Sequence, residues 1–538
     1  MEKSFNGFGT GCVTLRLWIA DFKNQQIRNL QSKILNLLDF LKKKSLFAKN
    51  QFSINNLMPK SIFVSSEVST LQRLLIHSPD SGLGKVVPSK AQDWLFEDII
   101  HLDTMRRKEY DYYVKTLLYF LDPEKIMGKL SQIDADEDRK FFKPDSPEYF
   151  NSDKVIELQK LLSDILENDL TRMKLVAAAC AIEKEWYTTH DELFNLPPTE
   201  LAKTLISGTT PTGEMLFPPI PNFIFTRDIG ITINDHILLN RPKKQARTRE
   251  ALLVQYIFFN HDIFKEIRQN LIEIPDNETL FLLPEEQAEE AQSTLEGGDV
   301  MMVAKNHLLI GISERTTIYA AKQVIKILFA KKIVDKVTLV KIPNKRDYMH
   351  IDTVFTQVKR NVWVLLGTLA KPQVNAEDEA LINAGLLKSK KAEEVHIVQF
   401  RRGQENDLRV IDSLEELLTE ISVYDLDCQP LDVKFIYSGN NEFPYGAREQ
   451  WTDSCNLLAV KEGVVIGYDR NDKTLEAFKN AGFEAVKIED LLQDFETGIK
   501  NPETIRDTFI MLPSAELSRA RGGSHCMSMP ILRSGFDV

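Results

Sequence analysis

Four short stretches of this chain place ionisable side chains where an apolar strand would be expected to bury surface. Near the C-terminus, SRARGGSHCMSMP carries Arg519, Arg521, Gly522, Gly523, His525 and Cys526. A solitary cysteine is usually a small buried hydrophobe. Beside arginines, a histidine and a Gly-Gly turn, the Cys526 thiol is expected in an electropositive setting that lowers its pKa from about 8.5 and makes it a nucleophile. In MHIDTVFT, His350 and Asp352 lie one residue apart inside an apolar, β-type run, which predicts both on one face of a strand. An imidazole beside a carboxylate is a proton-transfer and cation-binding pair. LEGGDVMMV holds Glu296 and Asp299 around two glycines that let the backbone approach a ligand closely. PNFIFTRDIG holds Asn222, Phe225, Arg227 and Asp228 after a proline-rich turn.

The set therefore comprises carboxylates, one histidine and one cysteine. No further ligands stand at a spacing diagnostic of a metal, and no glycine-rich phosphate cradle is present, so neither metal nor cofactor is expected. Carboxylates arranged around a planar cation form bidentate pairs with a guanidinium. A cysteine aimed at the central carbon of that cation could displace one of its nitrogens. The chemistry these residues suit is substitution at a guanidine.

Composition narrows the partners. The chain has 538 residues, 43% of them apolar, and a formal net charge of −11. An acidic balance argues against nucleic acid and against an anionic membrane surface, but is compatible with a small cationic substrate. Cys12, Cys180, Cys428, Cys455 and Cys526 are odd in number and far apart, which predicts free thiols and a reducing cytoplasm. No apolar run approaches the ~20 residues of a membrane-spanning helix, and the first residues lack the features of a signal peptide. A homo-oligomer stays open on this reading.

The elements that must position these residues can also be read. Residues 1–57 are predicted to be an extension ahead of a natural start at Met58, with Leu30, Ile34, Leu37, Leu38 and Leu41 at helical spacing. Ser61 to Ser78 reads as strand, turn, strand. Met105 to Phe120, Ser152 to Tyr187 and Thr199 to Ile206 carry a 3.6-residue period, which predicts a helical insertion over about 97–215. From about Pro218, short β-rich runs (Gly230 to Leu239, Val300 to Ile312, Lys336 to Ile342, Val362 to Leu366, Val464 to Tyr468) alternate with helices (Thr317 to Ala330, Leu475 to Ala481). That alternation predicts an α/β layer structure. The polar stretch from about 371 to 432, with one helix over Ser413 to Ile421, is expected to be a second, smaller insertion.

From about Ile62 onward the chain resembles the arginine deiminase family of guanidine-modifying enzymes. The resemblance rests on SEVSTLQRLLIHSP, LFEDI, FTRD, LEGGD, ISERTT, HIDTVFT, REQWTDSCNLLAV and RGGSHCMSMP, in that order. It implies a five-bladed, pseudo-symmetric α/β-propeller (pentein) catalytic domain over 58–538. It implies hydrolysis of L-arginine to citrulline and ammonia through an amidino (thiouronium) intermediate on Cys526. By motif, His350 would be the general acid and base, and Asp228 and Asp352 would grip the guanidinium with Glu296 beside them. Arg315 and Arg521 match positions that recognise the substrate's carboxylate, and Arg247 falls in a further recognition segment. Asn222, Phe225 and Asp299 would shape the pocket. Ser524 stands where many relatives carry glycine, and Glu97-Asp98 replaces an Asp-Asp pair; both bear on substrate identity. An amidinotransferase, an enzyme acting on another guanidine such as methylated arginine, and a non-catalytic guanidine binder are the competing readings.

Overall fold

The computed structural model describes residues 62–370, apart from 92 and 97, and residues 395–535, apart from 405 and 406. The expected extension over 1–57, residue Glu97 and the first part of the expected 371–432 insertion lie outside the described residues. The described residues of 62–370, 395–399 and 409–535 fall within one compact unit.

Five separate sheets share one local plan, in a mixed α/β architecture. In each, a central strand pairs antiparallel with one neighbour and parallel with another. Leu71–Ile76 lies between Met529–Arg533 and Val155–Glu157. His236–Leu239 lies between Gly230–Ile233 and Leu271–Ile272. His307–Ile312 pairs with Val300–Ala304 and Lys336–Lys341, and His396–Arg401 and Arg409–Ile411 extend that sheet to five strands. Val362–Leu365 lies between Phe355–Lys359 and Lys434–Tyr437. Val464–Tyr468 lies between Leu458–Lys461 and Thr508–Leu512, with Glu484–Lys487 outermost. The central strands read as near-continuous apolar runs because both their faces are covered, as VVIGY at Val464–Tyr468 shows. None of the sheets closes on itself among the described residues.

Helix boundaries follow local capping. Thr317 accepts the Ala320 N–H at 3.2 Å and starts Ile318–Lys331, which stops where Lys332 turns left-handed. Asn168 accepts the Thr171 N–H at 3.0 Å and starts Asp169–Glu183. That cap explains one difference from the sequence expectation: Ser152 to Tyr187 is no continuous helix. It opens with the strand Val155–Glu157, continues as Leu158–Leu166, and restarts at the Asn168 cap.

The β-rich runs Gly230 to Leu239 and Val300 to Ile312 are hairpins. Within the stretch 97–215, Val155–Glu157 joins the first sheet, and within 395–432, His396–Arg401 and Arg409–Ile411 join the five-stranded sheet. One further expectation needs correcting. His350 and Asp352 do not lie on a strand: His350 precedes the 3-10 turn Ile351–Thr353, and the strand begins only at Phe355.

Leu74, on the central strand of the first sheet, is fully buried. Leu74→Ala should lower the unfolding free energy by about 2–5 kcal/mol in a denaturant titration. A loss well under about 1 kcal/mol would contradict this placement.

Candidate active site

The ionisable motifs sit at equivalent places in the repeated plan, each ahead of the strand that pairs antiparallel with a sheet's central strand. Asp228 lies in the 3-10 turn Thr226–Ile229, ahead of Gly230–Ile233. Glu296 precedes the turn Gly297–Asp299, ahead of Val300–Ala304. His350 and Asp352 precede Phe355–Lys359. Asp453 and Asn456 precede Leu458–Lys461, and Cys526 precedes Met529–Arg533. The turns converge on one cavity lined by Asn222, Phe225, Asp228, Arg247, Glu296, Arg315, His350, Arg521 and Cys526, among others. All nine are residues singled out from the sequence.

Several contacts fix the nucleophile. The Cys526 carbonyl accepts the Arg227 N–H at 2.9 Å, tying the thiol loop to the Asp228 turn. Tyr468 donates its hydroxyl to the Gly522 carbonyl at 2.6 Å, and Tyr113 donates to that of Ser524 at 3.2 Å. Cys526 Sγ lies 3.5 Å from Asp352 Oδ2. His525 links Asp352 at 2.9 Å to Glu67 at 3.3 Å, and Glu67 in turn holds the buried Arg227 through two contacts of 3.4 Å.

His350 Nε2 meets Glu296 Oε2 at 3.0 Å, and its Nδ1 lies 3.9 Å from Asp228 Oδ1. A Cβ at position 298 would fall 2.5 Å from the His350 ring, so the imidazole position requires glycine there. Burial alone would lower the His350 pKa, but Asp228, the Glu296 hydrogen bond and Asp299 outweigh it and raise it to about 10. His350 is therefore an imidazolium at neutral pH. Burial would likewise push Glu296 up, yet Arg247, Arg315 and His350 hold it well below the usual carboxylate range. Burial opposes ionisation of Asp352 too, and the His525 hydrogen bond and charge prevail.

The thiol corrects the sequence expectation. Burial pushes the Cys526 pKa well above the ordinary value, and Asp352, Asp228 and Asp453 push it further. The sequence-adjacent arginines do not face the sulfur. Arg519 is an exposed partner of Asp98, at 2.9 Å, and Arg521 stacks over Trp451, 3.6 Å from the ring centre.

Arg247 is also placed differently from a carboxylate-recognising arginine. Its Nη1 meets Asp228 Oδ2 at 2.9 Å and Glu296 Oε2 at 3.0 Å, while its Nε donates to Glu250 at 2.9 Å. A guanidinium is thus already seated on two of the cavity's carboxylates. The cavity volume is about 30 Å³, roughly one water's share of liquid volume. Asp228 Oδ1 and Asp352 Oδ1 are buried without a hydrogen-bond partner. Asp228, Glu296 and His350 offer ligand atoms within 4.8 Å of one another, but the cation on two of them is the Arg247 guanidinium.

The remaining residues divide plainly. Arg315 Nη1 approaches Glu296 at 3.8 Å, Asn222 donates to the Trp94 carbonyl at 3.0 Å, and the Phe225 ring packs on Gly522. Asp299 does not line the cavity. Its oxygens accept the Ile351 N–H at 3.0 Å and the Ser313 hydroxyl at 2.6 Å, so it positions the His350 turn from behind. Glu67, Asp453 and Asn456 were given no role from the sequence, and His525, expected to make the thiol's setting electropositive, instead bridges Asp352 and Glu67. The signal for Asp453 and Asn456 was present: TDSCN is a polar run directly ahead of an apolar strand, as in the other four turns.

Residues 92–533 match the family model for arginine deiminase. An arginine deiminase of Borrelia recurrentis is 28% identical over 500 residues, covering 88% of this chain and 98% of that protein. One of Staphylococcus aureus strain MRSA252 is 26% identical over 496 residues, with the same coverage. Among solved structures, an amidinotransferase of the saxitoxin pathway from Microseira wollei aligns with a TM-score of 0.42 at 11% identity, over 88% of this chain and 98% of its own. With the family model spanning most of its length, this chain belongs to the arginine deiminase family.

Proposed function

We propose that this protein hydrolyses L-arginine to citrulline and ammonia, with Cys526 as nucleophile. The observation that carries the reading is a buried guanidinium, that of Arg247, seated on Asp228 and Glu296 in the cavity that Cys526 lines. The substrate's guanidinium would replace it, adding the free oxygens of Asp228 and Asp352 as acceptors. Arg315 and Arg521 lie on the cavity wall, where a substrate carboxylate could reach them.

The bonds made and broken follow from these positions. As the cation docks, the thiol proton leaves along its hydrogen bond to Asp352, the base 3.5 Å away. The thiolate attacks the guanidinium carbon. His350 gives its proton to one terminal nitrogen, which departs as ammonia and leaves an amidino group on sulfur. Neutral His350 then removes a proton from water, hydroxide adds to the same carbon, and the carbon–sulfur bond breaks. Thiol and imidazolium are restored, and the surplus proton leaves with ammonia as ammonium. Glu296 orients the imidazole throughout.

The five sheets, each with a central strand between an antiparallel and a parallel neighbour, support a five-bladed, pseudo-symmetric α/β-propeller with a helical insertion at about 97–215. The free thiols of Cys180, Cys428, Cys455 and Cys526 support a reducing cytoplasmic location. No helix among the described residues is long and apolar enough to cross a membrane.

Purified protein given L-arginine should release citrulline and ammonia in equal amounts, and a folded Cys526→Ala variant should release neither. Amidino transfer to an added amine without citrulline would overturn the hydrolase reading. Because His350 acts as an acid only while protonated, kcat/KM should fall as pH rises through about 10. Glu296→Gln removes a contribution that raises this pKa, so the descending limb should move to lower pH; an unmoved limb would remove Glu296 from that role. In the Cys526→Ala background, Arg247→Ala should lower the melting temperature by leaving buried carboxylates unpaired. Saturating L-arginine should then raise the melting temperature more than it does with Arg247 present. Equal shifts would show that the two guanidinium groups do not share a place.

A further inference from the structure

Asn456 touches the nucleophile twice. Its Oδ1 accepts the backbone N–H of Cys526 at 3.0 Å, and its Nδ2 lies 3.1 Å from Sγ. A backbone N–H can only donate, so the atom facing it is the amide oxygen and the NH2 must face sulfur. The other contact of Nδ2 is the Asp352 carbonyl at 3.3 Å, which holds the amide plane from a second side. Asn456 is fully buried. The loop is shaped around it: a Cβ at position 523 would come within 2.5 Å of the Asn456 carbonyl and 2.7 Å of its Oδ1.

The cationic groups that line the same cavity as Cys526 are His350, Arg247, Arg315 and Arg521. Burial disfavours a negative charge on the sulfur, and Asp352, Asp228 and Asp453 raise the thiol pKa further. The Asn456 hydrogen bond works the other way. Hydrogen bonds to an ionised partner are about twice as strong as neutral ones, so this N–H gains strength as the proton leaves sulfur.

We propose that Asn456 is a further catalytic residue, whose Nδ2–H stabilises the Cys526 thiolate during attack and again when the carbon–sulfur bond breaks. The inference deepens the deiminase reading and rests on it for its role in turnover, while the hydrogen bond to sulfur is testable without substrate. The measurement is the rate of Cys526 alkylation by iodoacetamide from pH 6.5 to 10.5, followed by peptide mass mapping, in the full-length wild type, Asn456→Ala and Asn456→Asp. At pH 8.5, Asn456→Ala should react about tenfold more slowly, one pKa unit of lost thiolate preference. Asn456→Asp should react more slowly still, because it puts a fourth carboxylate against the sulfur. With arginine, kcat should fall by more than KM changes. A folded Asn456→Ala with the wild-type alkylation profile overturns the proposal. So does loss of the fold in both variants, which would assign Asn456 to scaffolding alone. If the wild type makes no citrulline while the alkylation difference stands, the deiminase reading fails and the contact to sulfur survives.

Discussion

Asp228 and Glu296 in the cavity wall, and Asp352 beside the thiol, are buried carboxylates, and removing a partner from a buried charge costs about 3–5 kcal/mol. Much of the site's architecture answers that cost. Arg247 lies across Asp228 and Glu296, and His350 shares Glu296 Oε2 with it. Asp352 is held by His525, His525 by Glu67, and Glu67 by Arg227. Acidic and basic side chains alternate along both chains of contacts. Glu250, which accepts the Arg247 Nε–H, is pushed up to about 7 chiefly by burial. A substrate guanidinium can enter such a site with little electrostatic penalty, because it exchanges one cation for another of the same shape.

This exchange needs the carboxylates to be held by something stiffer than loops, and the fold supplies it. Asp228, Glu296 and His350 each stand in or beside a tight turn directly before the first strand of a hairpin, and Cys526 stands ahead of the strand that pairs with Leu71–Ile76. A side chain set at a strand end inherits the rigidity of the sheet behind it, and sites on such elements are more precise than sites on free loops. The turns are then stitched to one another by contacts between units. The Arg227 N–H donates to the Cys526 carbonyl, the Ile351 N–H to Asp299, and the Gly522 N–H to Asp453 at 3.0 Å. Displacing one turn therefore pulls on its neighbours.

The pattern of these turns explains what was legible in the sequence. Asp228, Glu296, His350 and Cys526 stood out because a charge ahead of an apolar run has no ordinary reason to be buried, and the cavity does gather them. The alternation of β-rich runs with helices from about Pro218 was readable for the same local reason. Partners distant along the chain were not. Asp299 looks like Glu296 in sequence, yet it turns to Ser313 and Ile351 because the strand it precedes points it behind the wall. The parallel strand pairs, such as Leu74 with Val155, depend on crossovers that leave no local mark. The helical periodicity over Ser152 to Tyr187 hid the short strand that makes this pair. The thiol's surroundings were misread because proximity in sequence was taken for proximity in space: Arg519 and Arg521 point outward or sideways, while the groups around the sulfur come from three other turns.

That misreading leads to the most consequential property of the site. A cysteine ringed by carboxylates is a poor nucleophile at rest, since each negative charge disfavours the thiolate. On the deiminase reading this is a form of selectivity. The cation that neutralises the carboxylates is also the electrophile, so the sulfur becomes reactive only when its target is in place. Thiols that ionise freely at neutral pH are open to oxidation and to unrelated electrophiles. Here the same charges that bind the guanidinium hold the thiol protonated until it arrives. Stabilisation that appears only as the reaction begins lowers the barrier without favouring the resting state, and a neutral donor such as the Asn456 amide can supply it without adding a charge that would compete for the carboxylates.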